Sequence, residues 1–486
     1  MPHRTTHLSR TIPALSGGLL LLAGCLTAGP DYRPPQTDLP VRWSTTPGAG
    51  VRAVAADAAA LECWWTVFND PVLSDLIERA RTGNRDVRQA AARLCTARAQ
   101  RALSKAGLFP TLSANASASR SRSSREAGGG LTANMFANGF DASWELDLFG
   151  GQRRTLEAAT ATLQAAEEDL RDVLVSLLAE TALNYVELRS YQARLSITEA
   201  SLTSQGETYD ITRWRHAAGL TTQLDEDQAR RNLEMTRADL PALQTSLTQA
   251  QHQLAVLLGQ PPGALQALLA RPGAVPVAVT NVAVGVPADI LRRRPDVRRA
   301  ERQLAAQTAQ IGTAAAARYP NVSLAGSIGL ESLTLGNLYT AGARTAQAGA
   351  SAVWKLFDGG SIRANIEVQT AKQAEVLNAY EAAVLTALKD VEDALTAYAN
   401  EQTRRQTLVE AQQAGLRAFE LARHQYAAGL VDFQTVLDTQ RSLLTVQEQL
   451  AISAADVTSN LIRLYKALGG GWTAAELKNA TARGKS

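Results

Sequence analysis

Two hydrophobic periods alternate along this chain, and the order in which they alternate occurs twice. From Asp70 to about Gly107 apolar residues recur at helical spacing in a background rich in Ala, Arg, Leu and Gln. The period then drops to two, predicting a strand from Phe109 to Arg120. Leu112, Ala114, Ala116 and Ala118 alternate with Thr111, Ser113, Asn115, Ser117 and Ser119, giving one dry and one wet face. A Gly-rich turn at Gly128 to Gly130 leads into a second alternating run, Phe136 to Leu148. It places Phe140, Ala142, Trp144, Leu146 and Leu148 on one face and closes at Gly150-Gly151.

The helical period then returns and persists. No proline interrupts Gln152 to His216, which at about 1.5 Å per residue predicts a helix roughly 100 Å long. Its apolar positions follow a heptad, with Leu170, Leu174, Leu177, Leu188, Tyr191, Leu195, Leu202 and Tyr209 forming a coiled-coil seam. Ala218-Gly219-Leu220 ends it, the glycine supplying a left-handed cap. A return helix follows from about Thr222 to Leu258 and stops at Gly259-Gln260-Pro261-Pro262.

The whole sequence of elements recurs 210 residues later. Asp86 returns as Asp296, Phe109-Pro110 as Tyr319-Pro320, Trp144 as Trp354, and Ala218-Gly219-Leu220 as Ala428-Gly429-Leu430. The second strand pair carries Val322, Leu324, Gly326, Ile328 and Leu330, then Ala346 to Leu356 by twos, closing at Gly359-Gly360. A period this long excludes a solenoid. Each repeat reads as short helix, strand hairpin, long helix and return helix. The boundaries fall at 1–24 (signal), 25–69 (N-terminal segment), 70–270 (first repeat), 271–286 (linker), 287–470 (second repeat) and 471–486 (tail).

Four strands with one apolar face cannot close a membrane barrel, which needs about eight or more. The expected resolution is oligomerisation; three copies supply twelve strands. The fold class is therefore mainly α, a long antiparallel coiled coil that contributes four strands per chain to a shared membrane β-barrel.

The N-terminus specifies where this happens. Arg4 and Arg10 precede a short apolar run from Ile12 to Ala23, a secretory signal rather than a spanning helix. Leu22-Ala23-Gly24-Cys25 resembles a bacterial lipobox, which makes Cys25 the lipidated first residue of the mature chain, and Leu26 resembles the second residue of lipoproteins passed to the outer membrane. Cys63 and Cys95 would meet an oxidising periplasm, either paired or as free thiols. The net charge of +3 on 486 residues leaves no footprint for nucleic acid. His3, His7, His216, His252 and His424 offer no metal-ligand spacing, and no nucleophile motif or phosphate loop is present, so no catalytic, metal or cofactor site is expected beyond the lipid on Cys25.

Specific segments then resemble the TolC-like outer-membrane efflux factors, in their NodT-type lipoprotein branch. They are Gly29-Pro30-Asp31-Tyr32; Trp65 with Phe68 to Leu73; Pro287-Ala288-Asp289-Ile290-Leu291-Arg292-Arg293-Arg294-Pro295-Asp296; and the paired Ala-Gly-Leu turns. The resemblance implies a homotrimer whose barrel continues into a periplasmic helical tunnel. It also implies partners, a periplasmic adaptor and an inner-membrane pump, and export of drugs or other small molecules. A protein-secretion duct is the alternative, since the same fold carries polypeptide cargo; a periplasmic adaptor would lack the Trp-bearing hairpins.

By the same resemblance Asp225 and Asp438 are expected at a periplasmic constriction beside the tip turns Gly219-Leu220 and Gly429-Leu430, with Thr435 standing where the family has another aspartate. Arg213, Arg215, Arg423 and Arg441 are expected to hold that mouth by ion pairs. Arg292, Arg293 and Arg294 are expected to open a helix in an equatorial belt and to pair with carboxylates. Trp144 and Trp354 are expected at the periplasmic-side membrane interface, where an amphipathic ring favours the headgroup level.

Overall fold

The computed structural model describes residues 27–36, 39–45, 51–52, 61–278, 282–283, 287 and 293–472. The signal, Cys25, Leu26, Arg292 and most of the tail lie outside the described residues. In chain order come α1 (Pro71–Gly83), α2 (Arg85–Ala106), β1 (Thr111–Arg122), β2 (Thr132–Leu146), α3 (Gly151–Ala217), α4 (Gln223–Leu257), α5 (Pro295–Ala316), β3 (Asn321–Ser332), β4 (Arg344–Val353), α6 (Ser361–Ala427) and α7 (Phe433–Ala467). The bounds of α2 and α5, of β1 and β3, of α3 and α6, and of α4 and α7 each differ by 210.

Two departures from the periodic reading concern the strands and the first helix. The strands start and stop elsewhere: β1 runs to Arg122, β2 is Thr132–Leu146, and β4 ends at Val353, so Leu148, Trp354 and Leu356 follow the strands. The helix expected from Asp70 to Gly107 is two helices. Asn84, at ψ 140°, breaks it and caps the second one, its Oδ1 accepting from the amides of Asp86 and Val87 at 2.7 and 3.0 Å.

One compact unit comprises the described residues to Pro35 with Thr96–Ala165 and Ala300–Tyr380. It holds a four-stranded antiparallel sheet in the order β1-β2-β3-β4. The pairings Leu112↔Ala142, Ala142↔Gly326 and Gly326↔Ala348 run straight across, as do Ala114↔Phe140, Phe140↔Ile328 and Ile328↔Ala346. The register therefore gathers the apolar positions of all four strands on one face and Ser113, Asp141, Ser327 and Gln347 on the other. Gly139 and Gly329 sit opposite each other at the central seam, where a Cβ on Gly139 would meet the Ile328 carbonyl oxygen at 2.6 Å. Residues along β1 and β4 are exposed, and each of these strands has only one paired edge.

The other unit comprises the described residues of Gln36–Cys95, Ala166–Arg299 and Glu381–Ser486. Trp64, Leu73, Leu76, Ile77, Leu170, Leu178, Tyr185 and Leu188 are wholly buried in it. The predicted α3 seam changes character along its length. Leu170, Leu174, Leu177 and Leu188 are buried, whereas Tyr191, Leu195, Leu202 and Tyr209 are only half-buried. The fully buried positions there are Gln192, Thr198, Gln205 and Thr212. Thr198 and Thr212 satisfy themselves by donating to the carbonyls of Arg194 and Thr208, so small hydroxyl side chains replace leucine in the seam without an orphaned donor.

Candidate functional site

Three sites can be built from these elements: the junction of strands and helices, the belt around Arg294, and the helix tips. At the junction both tryptophans make the same hydrogen bond. Trp144 Nε1 donates to the Leu108 carbonyl and Trp354 Nε1 to the Arg318 carbonyl, each at 3.0 Å and each across 36 residues. Both rings remain exposed. Each indole thus closes the turn after α2 or α5 and turns its apolar edge outward. Asp147 and Asp358 cap the long helices, accepting from the amides of Gln152 and Ile362 at 3.0 and 2.7 Å.

The N-terminal segment ties onto the first junction. Arg154, buried, donates to the carbonyls of Ala28 and Gly29 and pairs with Asp31 at 2.6 Å and Glu157 at 2.8 Å. Gly29, at φ 83°, lies so close to α5 that a Cβ there would meet Gly312 Cα at 2.4 Å. Tyr32 then donates to Glu301 at 3.0 Å. Thr27, at the foot of this strap, is two residues beyond Cys25.

The belt answers what the arginine run does. Arg294 is buried; Nε and Nη2 fork onto Asp296 at 3.0 and 2.7 Å, Nη2 also reaches Asp390 at 3.0 Å, and Nη1 donates to the Ala467 carbonyl. Burial opposes its charge, but the two carboxylates outweigh burial and raise its pKa. Burial likewise works to raise the Asp296 pKa, yet Arg294 holds it below the ordinary carboxylate value. Arg299 bridges Asp169 and Asp172 at 2.8 and 3.0 Å, and burial keeps the Asp172 carboxyl above its ordinary value. Arg171 and Arg298 both pair with buried Glu168 and both lie over the Trp472 ring. A cavity of about 440 Å³ opens beside Arg294, lined by Asp172, Asp390, Asp393, Arg463 and Lys466 among others.

At the tips, Gly219 and Gly429 both have φ 72°, with the Leu220 and Leu430 amides bonded back to the carbonyls of Arg215 and Gln425 at 2.8 and 2.9 Å. Open space surrounds both glycines, and both leucines are exposed. The cap that follows uses the same two residue types in exchanged positions. In the first repeat Thr222 caps α4 and Asp225 closes the box, its Oδ2 accepting from the Thr222 amide at 3.1 Å and from the Thr221 and Thr222 hydroxyls at 2.6 and 2.8 Å. In the second repeat Asp432 caps α7 and accepts from the Thr435 amide and hydroxyl at 2.9 and 2.6 Å. Burial raises the Asp225 pKa but these hydrogen bonds lower it more; the Thr435 bonds lower that of Asp432. The arrangement accounts for Thr435, which stands at the position equivalent to Asp225. Asp438 is exposed, accepts from Gln434 at 2.8 Å, and lies 3.8 Å from Arg441.

The four tip arginines divide. Arg213 pairs with Asp210 at 3.6 Å on its own helix, Arg441 reaches across to Asn232 at 2.7 Å, Arg215 stacks on the Tyr426 ring at 4.7 Å, and Arg423 is exposed. The sequence reading did not anticipate the His216–Glu226 pair, 2.7 Å apart, because the residues equivalent to them are Tyr426 and Val436. Cys63 and Cys95 are not joined in a disulfide. Among the described residues no cluster of His, Cys, Asp or Glu has metal-holding geometry, and no helix is long and apolar enough to cross a membrane.

Comparison with known proteins converges on this architecture. The family model for outer membrane efflux protein matches residues 76–260 and 286–470. The chain is 33% identical over 470 residues to a probable efflux pump outer membrane protein, TtgC, of Pseudomonas putida strain KT2440, covering 96% of each chain. It is 33% identical over 462 residues to nodulation protein T of Rhizobium leguminosarum bv. trifolii, covering 93% of this chain and 96% of that one. The solved structure of the outer-membrane channel OprN superposes with a TM-score of 0.87 at 36% identity, covering 92% of this chain and 99% of that chain. The chain belongs to the outer membrane efflux protein family.

Proposed function

We propose that three copies of this chain form one passive efflux conduit, with twelve strands closing a barrel in the outer membrane and twelve helical columns continuing it as a periplasmic tunnel. The observation that carries this reading is the sheet. Its register gathers the Leu112, Phe140, Ile328 and Ala346 rows of the four strands on one face, yet β1 and β4 each leave an edge unpaired. Lipid cannot hydrogen-bond a free strand edge, so such a sheet is stable in a membrane only when closed. Copies of the same chain are the simplest closure.

In this reading Cys25 carries the lipid, two residues from the strap that Arg154 holds. Trp144 and Trp354 sit at the inner headgroup level, and the Gly219-Leu220 and Gly429-Leu430 turns face an adaptor that links the conduit to an inner-membrane pump. Asp225 and Asp438 face the narrow entrance; Asp438 is the freer of the two, since Asp225 also serves as a cap. Drugs or other small molecules are the cargo.

The test is mass and conductance together. Detergent-solubilised protein is expected to scatter light as three chains and to form channels in planar bilayers. Asp438→Ala is expected to weaken block by multivalent cations added from the periplasmic side. A monodisperse monomer with intact helical circular dichroism would refute the conduit. Unchanged block in both Asp438→Ala and Asp225→Ala would remove these residues from the entrance.

A further inference from the structure

The repeat predicts how one copy meets the next, and that seam gathers a charge cluster. Both hairpins have one register at the 210-residue offset, since Thr111↔Ser143 and Asn321↔Val353 are equivalent pairs. The seam inside the chain, β2 with β3, therefore serves as the template for β4 of one copy with β1 of the next, an inference that rests on the three-copy barrel proposed above. Transposing Phe136↔Ser332 gives Ala346 opposite Arg122, transposing Asn138↔Leu330 gives Ala348 opposite Arg120, and Phe140↔Ile328 gives Ala350 opposite Ala118. Arg344 then falls two residues before Ala346 on the same face, diagonal to Arg122, at roughly 7–8 Å and within reach of long side chains.

These three arginines are unusual for where they point. They share the apolar face: the other residues of that face are Leu112, Ala114, Ala116 and Ala118 on β1 and Ala346, Ala348, Ala350 and Ala352 on β4. No carboxylate of either strand's face stands near them. Arg125 and Glu126 in the following turn cancel each other. The scaffold does not demand the charges, because the equivalent positions at the seam inside the chain are Leu330, Ser332 and Asn134.

Their depth is defined as well. Arg120 pairs with Asn134, ten residues along β2 from Trp144. At about 3.3 Å per residue and a strand tilt of about 40°, that is roughly 25 Å of height, the thickness of the apolar band of such barrels. With Trp144 at the inner headgroups, the arginines reach the outer ones.

We propose that Arg344 of one copy and Arg120 and Arg122 of the next form a site for the phosphate groups of the phosphorylated glycolipid of the outer leaflet, one site at each seam between copies. A guanidinium fork matches phosphate oxygens bidentately, and the flanking alanines leave a smooth strip against which acyl chains pack.

The experiment uses the full-length protein purified from outer membranes in mild detergent, with bisphosphorylated lipid A, dephosphorylated lipid A and phosphatidylglycerol as separate probes read by native mass spectrometry. Wild type is expected to retain the bisphosphorylated lipid at least about tenfold better than either alternative, and the triple variant Arg120→Gln/Arg122→Gln/Arg344→Gln to lose that margin. Arg→Lys at the three positions, which keeps the charge and loses the fork, is expected to fall between. Asn134→Ala, at the equivalent position of the other seam, should change nothing. Equal retention by wild type and the Gln variant overturns the site, and equal retention of phosphatidylglycerol overturns its assignment to the glycolipid. In a background of Cys63→Ser and Cys95→Ser, Ala118→Cys with Ala350→Cys should cross-link neighbouring copies. Trimers that cross-link only in another register overturn the seam but leave the conduit standing, whereas monomers sink the conduit itself.

Discussion

The two repeats place the same elements at the same offset while many of their residues differ, and some of those differences mark a task done once per chain rather than twice. Where the repeats agree, the residue serves the scaffold: the Trp144 and Trp354 indoles bond equivalent carbonyls, and Gly219 and Gly429 share one φ. Asn84 and Arg294 both bond the last residues of the return helices, through the carbonyls of Leu257 and Ala467. Only Arg294 adds a charge network, with Asp296 and Asp390. Arg154 and Gly312 receive the N-terminal strap, whereas the equivalent Ala364 and Ala102 offer neither a donor nor room. The chain therefore keeps a two-fold frame and breaks it where a single strap or belt must attach.

The largest effect is expected at the belt. Arg294→Ala strands two carboxylates and should destabilise the protein by about 3–5 kcal/mol, while Asn84→Ala should cost about 1–2 kcal/mol. Chemical unfolding followed by helical circular dichroism separates them; equal losses would mean that the network adds nothing to the shared bond. The pH dependence has a defined sign. The folded pKa of Asp296 is lowered. Its contribution is therefore present above the unfolded carboxylate value of about 4 and is lost as pH falls through the folded value. That acid loss should shrink in Arg294→Ala.

Next is the strap. Arg154→Ala should free residues 27–33 and open the bond after half-buried Tyr32 to chymotrypsin, whereas Arg363→Ala, beside the equivalent position on α6, should leave cleavage unchanged. Protection of Tyr32 in both variants would show that the Gly29–Gly312 contact suffices alone.

Smaller still, Trp144→Phe and Trp354→Phe each remove one hydrogen bond, and each should cost about 0.5–1.5 kcal/mol. The two losses should agree in thermal unfolding of the trimer; a clear inequality would break the equivalence of the junctions. Smallest is the cap. Thr222→Ala should cost about 1 kcal/mol. Asp432→Ala should also destabilise, but its effect should fade in acid. The Asp432 pKa is lowered, so its cap is present above the unfolded carboxylate value and lost as pH falls through the folded value.

Much of this was legible in one dimension because repetition and period are local properties. Alternation along 111–119 and 136–146 identified strands, the proline-free run identified α3, and the 210-residue step tied the halves together. Strand ends were not legible, because ladder pairing rather than side-chain pattern terminates them: β4 stops at Val353 although Trp354 and Leu356 continue the alternation. The break at Asn84 was signalled locally by Gly83, a poor helix former, but the partner that holds Asn84 there is a carbonyl 173 residues away.

What the sequence by itself determined is the order of elements, the duplication and the dry face of each strand, all of which follow from side-chain chemistry at fixed spacing. Tertiary structure alone decided which strands pair and in what register. It also decided which arginine is buried against Asp296 and Asp390 and which stacks on Tyr426. It decided too that Asp225 faces Thr222 as Asp432 faces Thr435. The reason is physical: burial and partnership are set by residues far apart in the chain, and a charged side chain has the same local sequence signal whether it ends in water, in an ion pair or against a ring.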